Sequence, residues 1–205
     1  MKMVFLNPER CIGCKQCQFN CAVEHSETKN IYTAISEPVK SSSRIDVSPG
    51  IYGSSSFPNK CRNCDPAACV DICPTGATYR DEDQRIIMID SNKCITCAMC
   101  AIVCPFDALR FQPIPSLPHQ KAVAVKCDQC IDRQRDGKIP ACVEACKVGA
   151  LVFGEINELI KAAGQSYVEK ISIAINDTEK IKEHIPSHIN DWHEWNKKVQ
   201  TINNR

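Results

Sequence analysis

Cysteine falls into four groups along this chain, and every group ends in C-x-x-x-C. The first is Cys11, Cys14, Cys17 and Cys21, with intervening gaps of two, two and three residues. The second is Cys61, Cys64, Cys69 and Cys73, with gaps of two, four and three, followed by Pro74. The third is Cys94, Cys97, Cys100 and Cys104, again two, two and three, closed by Pro105. The fourth is Cys127, Cys130, Cys142 and Cys146, with gaps of two, eleven and three. The third group has the spacing of thiolates that ligate [4Fe–4S] cubanes. Three of its thiolates sit on one tight loop. Cys104, four residues beyond Cys100 on a helical turn, points away towards a second cluster. Pro105 keeps a helix from running back over the loop. A group of this kind needs a partner group elsewhere in the chain.

Other cysteine chemistries fit less well. Disulfides need an oxidising compartment, and the start MKMVFLNPER shows neither the apolar run of a signal peptide nor a twin arginine. Zinc sites use two separated Cys pairs, often with His. Here the cysteines come as triplets plus a fourth, and His25 is the one histidine near any of them. No Cys pair stands alone, as a thioredoxin-type redox pair would. Clusters remain, and they imply a reducing, cytoplasmic setting, peripheral to a membrane at most through a partner. With its 16 Cys set aside, the hydrophobic share of 43% falls to about 35%, a thin core for 205 residues. The formal charge of +1 becomes about −7 when four clusters of about −2 each are counted. That leaves no basic surplus for nucleic acid, and no stretch approaches the roughly 18 apolar residues of a membrane span.

The elements that must position these groups are short. Val4–Cys21 (VFLNPERCIGCKQCQFNC) aligns with Ile87–Cys104 (IMIDSNKCITCAMCAIVC) at an offset of 83 residues, an internal repeat. In each copy a short apolar run enters a turn and then the cysteines. Segments 76–79, 107–110 and 149–152 read as strands leaving the clusters. Thr78–Arg80 and Ile86–Ile89 read as a hairpin across residues 81–83. Residues 36–58 are rich in Ser and Pro and read as an insertion loop or partner surface. Within it, Arg44–Val47 and Ile51–Tyr52 read as a hairpin across Ser48-Pro49-Gly50. Residues 111–120, with three prolines, bridge the third and fourth groups. The eleven-residue gap in the fourth group, with Arg133, Arg135 and Lys138, reads as a solvent loop and docking rim. Beyond Val152 the pattern turns helical. Glu155–Ala163 reads as a helix stopped by Gly164, Ile171–Ile175 as a strand, and Asp177–Ile185 and Ser187–Ile202 as helices. The last carries Trp192, Trp195, Val199 and Ile202 on one stripe, for self-packing or for a partner.

Over residues 1 to about 155 these four groups resemble the four-cluster ferredoxin-like subunits of anaerobic oxidoreductases. Those are the electron-transfer subunits of dimethyl sulfoxide reductase, formate dehydrogenase and formate-linked hydrogenase. Within that family, Arg10–Ser26 most resembles the iron–sulfur proteins associated with nickel carbon monoxide dehydrogenase. The resemblance implies an α+β fold of two ferredoxin-like modules, one nested in the other. Residues 1–35 with 119–155 form the first, 58–118 the second, 36–57 an insertion and 156–205 a mostly helical extension. It also implies crossed ligation. Cluster 1 takes Cys11, Cys14, Cys17 and Cys146, and cluster 2 takes Cys21, Cys127, Cys130 and Cys142. Cluster 3 takes Cys61, Cys64, Cys69 and Cys104, and cluster 4 takes Cys73, Cys94, Cys97 and Cys100. All 16 positions are filled, so no three-iron cluster is implied. Two residues depart from the pattern: Ala22 after Cys21 and Lys147 after Cys146, where proline is expected. Lys147 is either a solvated lysine or a cation that raises a nearby potential.

The chain has no Gly-rich phosphate loop, no dinucleotide fingerprint, no C-x-x-x-C-x-x-C radical pattern and no cysteine left as a nucleophile. The expected function is electron transfer without a catalytic site of its own. The expected donor is a nickel carbon monoxide dehydrogenase and the acceptor a hydrogenase or another redox protein. The alternative is the iron–sulfur subunit of a formate dehydrogenase, a formate-linked hydrogenase or a molybdenum reductase. A cluster-based redox sensor is the remote alternative, since no effector domain accompanies the groups.

Overall fold

The computed structural model describes residues 2–50, 56–83, 85–114 and 121–176. It opens with strand β1 (Lys2–Leu6), a 3-10 turn (Pro8–Arg10) and helix α1 (Gln16–Glu24). Helix α2 (Ile31–Ala34) and strands β2 (Ile45–Pro49) and β3 (Ser56–Lys60) follow. The middle holds α3 (Ala68–Asp71), β4 (Thr78–Arg80), β5 (Ile87–Ile89), α4 (Met99–Ile102), β6 (Arg110–Pro113) and β7 (Ala122–Val125). Then come α5 (Ile131–Arg135), α6 (Ala141–Ala145), β8 (Leu151–Glu155) and α7 (Ile156–Asn176). Among the described residues the strands form four antiparallel pairs: β1 with β8, β2 with β3, β4 with β5, and β6 with β7. Short helices and small sheets make this an α+β fold.

Two apolar cores divide the residues up to Ile156. One gathers Val4, Ile45, Val47 and Leu151 around Cys17, Cys21 and Cys142. The other gathers Ala77, Leu109, Val123, Ala124 and Val125 around Cys94 and Cys100. Both are built around thiols, which is how a chain with a thin apolar share still excludes water from its centre. The first core draws on both ends of this stretch because β1 lies against β8, with Val4 opposite Phe153 and Leu6 opposite Leu151.

The hairpin read at residues 78–89 is present, with Thr78 opposite Ile89 and Arg80 opposite Ile87. The strands leaving the third and fourth groups begin two to three residues later than read, at Arg110 and Leu151. The reason is local: Gly76, Asp107 and Gly149 all take positive φ and turn the chain before the strand starts. The insertion at 36–57 is not loop throughout, because Ile45 and Val47 of β2 enter the first core. The partner of β2 is Ser56–Lys60, while Ile51 and Tyr52, read as its partner, lie outside the described residues. The boundary read at 119 falls before β7, which pairs with β6 and packs Val123, Ala124 and Val125 into the second core.

Only the second half of the gap in the fourth group, residues 136–139, is the exposed loop expected there. Its first half folds into α5, where Ile131 is buried and Arg133 is held from two sides. Arg133 Nη1 donates to Glu24 Oε2 at 2.8 Å, and its Nη2 donates to Glu144. Arg133 therefore clamps α5 to α1 and α6, while Arg135 and Lys138 stay exposed.

Among the described residues, Asn157–Asn176 belong to a separate unit. There α7 runs through Gly164 without a break and replaces the strand read at 171–175. One glycine costs a helix about 1 kcal/mol, and a helix started by the strong formers before it propagates past that cost. The β-branched run that suggested a strand is a weak prior without a pairing partner. The two further helices read beyond residue 176, with Trp192 and Trp195, lie outside the described residues. No helix among the described residues is long and apolar enough to cross a membrane.

Candidate iron–sulfur sites

Each cysteine group opens with the same backbone twist. The third residue of every C-x-x-C has positive φ: Gly13 at 70°, Asn63 at 51°, Thr96 at 61° and Gln129 at 60°. Lys15 and Ala98, again 83 residues apart, share a φ near 60° as well. Glycine and asparagine tolerate this region, whereas threonine and glutamine rarely enter it. A residue of the wrong type held there marks a loop constrained by function. At Gly13 a side chain would meet Ser56 Oγ at 2.6 Å, so this position also needs the missing Cβ.

After the loop, each group passes through a helix that holds its third cysteine and ends before its fourth, except that Cys21 lies inside α1. Where proline follows, as at Cys73 and Cys104, the helix has already ended. At Cys21, Ala22 replaces proline and α1 continues to Glu24, which delivers His25 beside Cys21. Lys147 is exposed, its Nζ donating to Glu144 O at 3.2 Å. This is the solvated lysine of the two readings.

The thiols collect in sets drawn from distant groups. Cys11, Cys14, Cys17 and Cys146 line one cavity. Cys73, Cys94, Cys97 and Cys100 line a second. Cys142 is surrounded by Cys127, Cys130 and Cys21, and these four are all buried. Cys69 lies beside Cys61 and Cys104. Cys64 shares the Asn63 turn with Cys61, where Arg62 stacks over the rings of Phe57 and Phe106 at 5.5 and 5.6 Å.

Buried thiols so close together resist ionisation. Burial, with the neighbouring Cys146, Cys11 and Cys14, pushes Cys17 up to about 11. Burial, with Asp128, Cys127 and Cys21, pushes Cys130 up to about 12. Burial likewise drives Cys142 well above the usual thiol range. Four thiolates can share such a site when a cationic, soft-ligand centre stands between them. The donor set is sulfur throughout, which suits iron–sulfur clusters. Backbone N–H groups already aim at the sulfurs: Arg44 N donates to Cys21 Sγ at 3.2 Å, Asn63 N to Cys61 Sγ at 3.4 Å, and Thr78 N to Cys73 Sγ at 3.5 Å.

Sequence reasoning missed a polar network beside Cys21. Asp128 accepts from His25 Nε2 at 3.2 Å, from the Cys130 N–H at 3.0 Å and from the Arg44 guanidinium. His25 Nδ1 sits 2.8 Å from Cys21 O and 3.7 Å from Cys21 Sγ. Against the cost of burial, the hydrogen bonds to Asp128 and Cys21 raise His25 to about 9. Also against that cost, His25 and Arg44 hold Asp128 well below the usual carboxylate range. Cys21 falls below the usual thiol range, because hydrogen bonds from His25 and the Arg44 N–H outweigh its burial. The sequence signal was slight: His25 four residues after Cys21, and an Asp inside the fourth C-x-x-C.

Residues 54–156 match the family model of the 4Fe-4S dicluster domain, and residues 8–24 match a 4Fe-4S binding domain. Over 165 residues the sequence is 34% identical to one of the chains of the anaerobic dimethyl sulfoxide reductase of Escherichia coli, covering 78% of this protein and 76% of that one. It is 36% identical over 160 residues to the thiosulfate reductase electron transfer subunit of Salmonella typhi, covering 76% and 77%. It is 33% identical over 157 residues to one of the subunits of the tetrathionate reductase of Salmonella typhimurium, covering 76% of this protein and 58% of that relative. The match fixes the cofactor, because four-thiolate sets alone would also accept zinc. With its 16 cysteines the chain therefore belongs to the 4Fe-4S ferredoxin-type iron–sulfur subunits that include those of the dimethyl sulfoxide, thiosulfate and tetrathionate reductases, carrying four [4Fe–4S] clusters as an electron-transfer subunit and not as the catalytic one.

Proposed function

We propose that this chain relays electrons for a molybdenum reductase, docked to its catalytic subunit. The names of its relatives support this partner over the carbon monoxide dehydrogenase and hydrogenase expected from Arg10–Ser26.

The ligand sets follow the crossed arrangement. Cys11, Cys14, Cys17 and Cys146 hold cluster 1, and Cys21, Cys127, Cys130 and Cys142 hold cluster 2. Cys61, Cys64, Cys69 and Cys104 hold cluster 3, and Cys73, Cys94, Cys97 and Cys100 hold cluster 4. The observation that carries this reading is that Cys146 lines the same cavity as Cys11, Cys14 and Cys17, far from it in sequence. Pairing of β1 with β8 supports a first module closed from both ends around the second. Each cluster, when bound, supplies a one-electron carrier. The chain supplies the thiolates, donates N–H groups to their sulfurs and buries the second set from water.

Two measurements test this. The anaerobic protein should hold about 16 iron per chain, and half that amount refutes four clusters. Cys21→Ser should perturb the cluster held by the fourth group and leave that of Cys11, Cys14 and Cys17 with four ligands. A crystal structure with Cys21 bonded to the same cubane as Cys11, Cys14 and Cys17 overturns the assignment. Molybdenum in the anaerobically isolated complex supports the partner. Nickel in its place returns the carbon monoxide dehydrogenase.

A further inference from the structure

A basic residue stands immediately before the first cysteine of every group: Arg10, Lys60, Lys93 and Lys126. The structure treats them in two ways. Arg10 and Lys93 are exposed, before the first and third groups. Those two groups also carry the exposed cysteines, Cys14 and Cys97. Lys60 and Lys126 are buried, at 2% and 4% exposure.

Neither buried lysine ion-pairs with a carboxylate among the described residues. Lys60 Nζ donates to Cys61 O at 3.3 Å. Lys126 Nζ donates to Cys127 O at 3.0 Å and to Ile87 O on β5. Carbonyl dipoles alone do not offset the loss of water around an ammonium, and buried charges are found paired. The negative charge that pairs them must therefore come from the thiolates and the clusters they hold. Lys60 Nζ and Lys126 Nζ each lie on the carbonyl of the cysteine that follows, Cys61 of the third ligand set and Cys127 of the second, so the two cations sit beside those two sets.

We propose that Lys60 and Lys126 are buried cations beside the third and second ligand sets and hold up the reduction potentials of the clusters bound there. This rests on the ligand assignment above. Reduction adds one negative charge, so a fixed cation nearby favours the reduced form, and a low dielectric strengthens the effect. Both lysines act through the cluster environment as positioning residues.

The test is an anaerobic redox titration of the full chain followed by electron paramagnetic resonance, with iron measured on each sample. Lys60→Met and Lys126→Met keep side-chain length and remove charge. Both should keep about 16 iron. In each, at least one of the four midpoint potentials should fall, by at least about tenfold in the reduction equilibrium, or about 59 mV for a one-electron couple. Lys93→Met, the exposed counterpart, should move none. Full iron with four unchanged midpoints overturns the proposal, as does an equal shift in Lys93→Met. If the Met variants lose iron, Lys60→Arg and Lys126→Arg decide. Full iron and parental midpoints there uphold the role of charge, whereas the same iron loss shows that the lysines fill space and overturns it. A shortfall of iron in the unaltered protein instead overturns the ligand assignment itself.

Discussion

Replacing Asp128 by asparagine should destabilise the holoprotein out of proportion to the single charge removed. The carboxylate faces Arg44 and His25, and all three side chains are at least four-fifths buried. The amide keeps the shape, so the Cys130 N–H still finds an oxygen. Arg44 does not fare as well, because its Nε is already buried without a partner and Asp128 is its one carboxylate among the described residues. Breaking a fully buried ion pair costs about 3–5 kcal/mol, and losing a hydrogen bond to a charged group about 1.5–3 kcal/mol. With about a fifth of each charged group still reaching solvent, about 2–3 kcal/mol is the expected cost. If half of this appears in the unfolding barrier, cluster loss accelerates by about five- to thirteenfold. The assay follows the visible absorbance of the clusters in anaerobic guanidinium at fixed concentration. Asp132→Asn is the control, since Asp132 and Arg135 form an exposed surface pair worth well under 1 kcal/mol. Arg44→Met combined with Asp128→Asn should cost less than the two singles added, because the stranded cation is then gone. Equal rates for Asp128→Asn and Asp132→Asn, or strict additivity with Arg44→Met, would refute this account of the network.

Two further outcomes follow from the same geometry. Gly13→Ala should accelerate cluster loss more than Gly76→Ala. Both positions have positive φ and carry the left-handed cost of about 1–2 kcal/mol, but a Cβ at Gly76 meets nothing within 4 Å. Glu24 gives a pH signature. Against its partial burial, Arg133 and Lys29 hold its carboxyl below the usual range. A depressed folded pKa contributes stability that is complete above the unfolded value and fades as pH falls through the folded one. Glu24→Gln should therefore lose its clusters faster than the unaltered protein near neutrality. The gap should close as pH drops below about 4.5, and a constant gap would refute the assignment.

Much of this protein is local chemistry and was readable without coordinates. Cysteine spacing names the metal chemistry because ligands on one tight loop must lie two or three residues apart. The 83-residue offset identified two similar halves, and the backbone obeys it down to the twist of Gly13 and Thr96. The hairpin at β4 and β5 was legible because both strands and their turn are contiguous. The partner of β1 was not, since β8 lies at the far end of the described unit and only packing selects it. The first half of the fourth-group gap departs from the polar-loop reading because Arg133 finds Glu24 and Glu144 from separate segments. Gly164 misled for the opposite reason: a local penalty of about 1 kcal/mol is smaller than what a long helix can absorb. The basic residues before each group show the division most plainly. All four are alike in sequence, and folding buries Lys60 and Lys126 while leaving Arg10 and Lys93 in water. A residue's type sets the charge it carries, and tertiary structure alone decides the dielectric in which that charge acts.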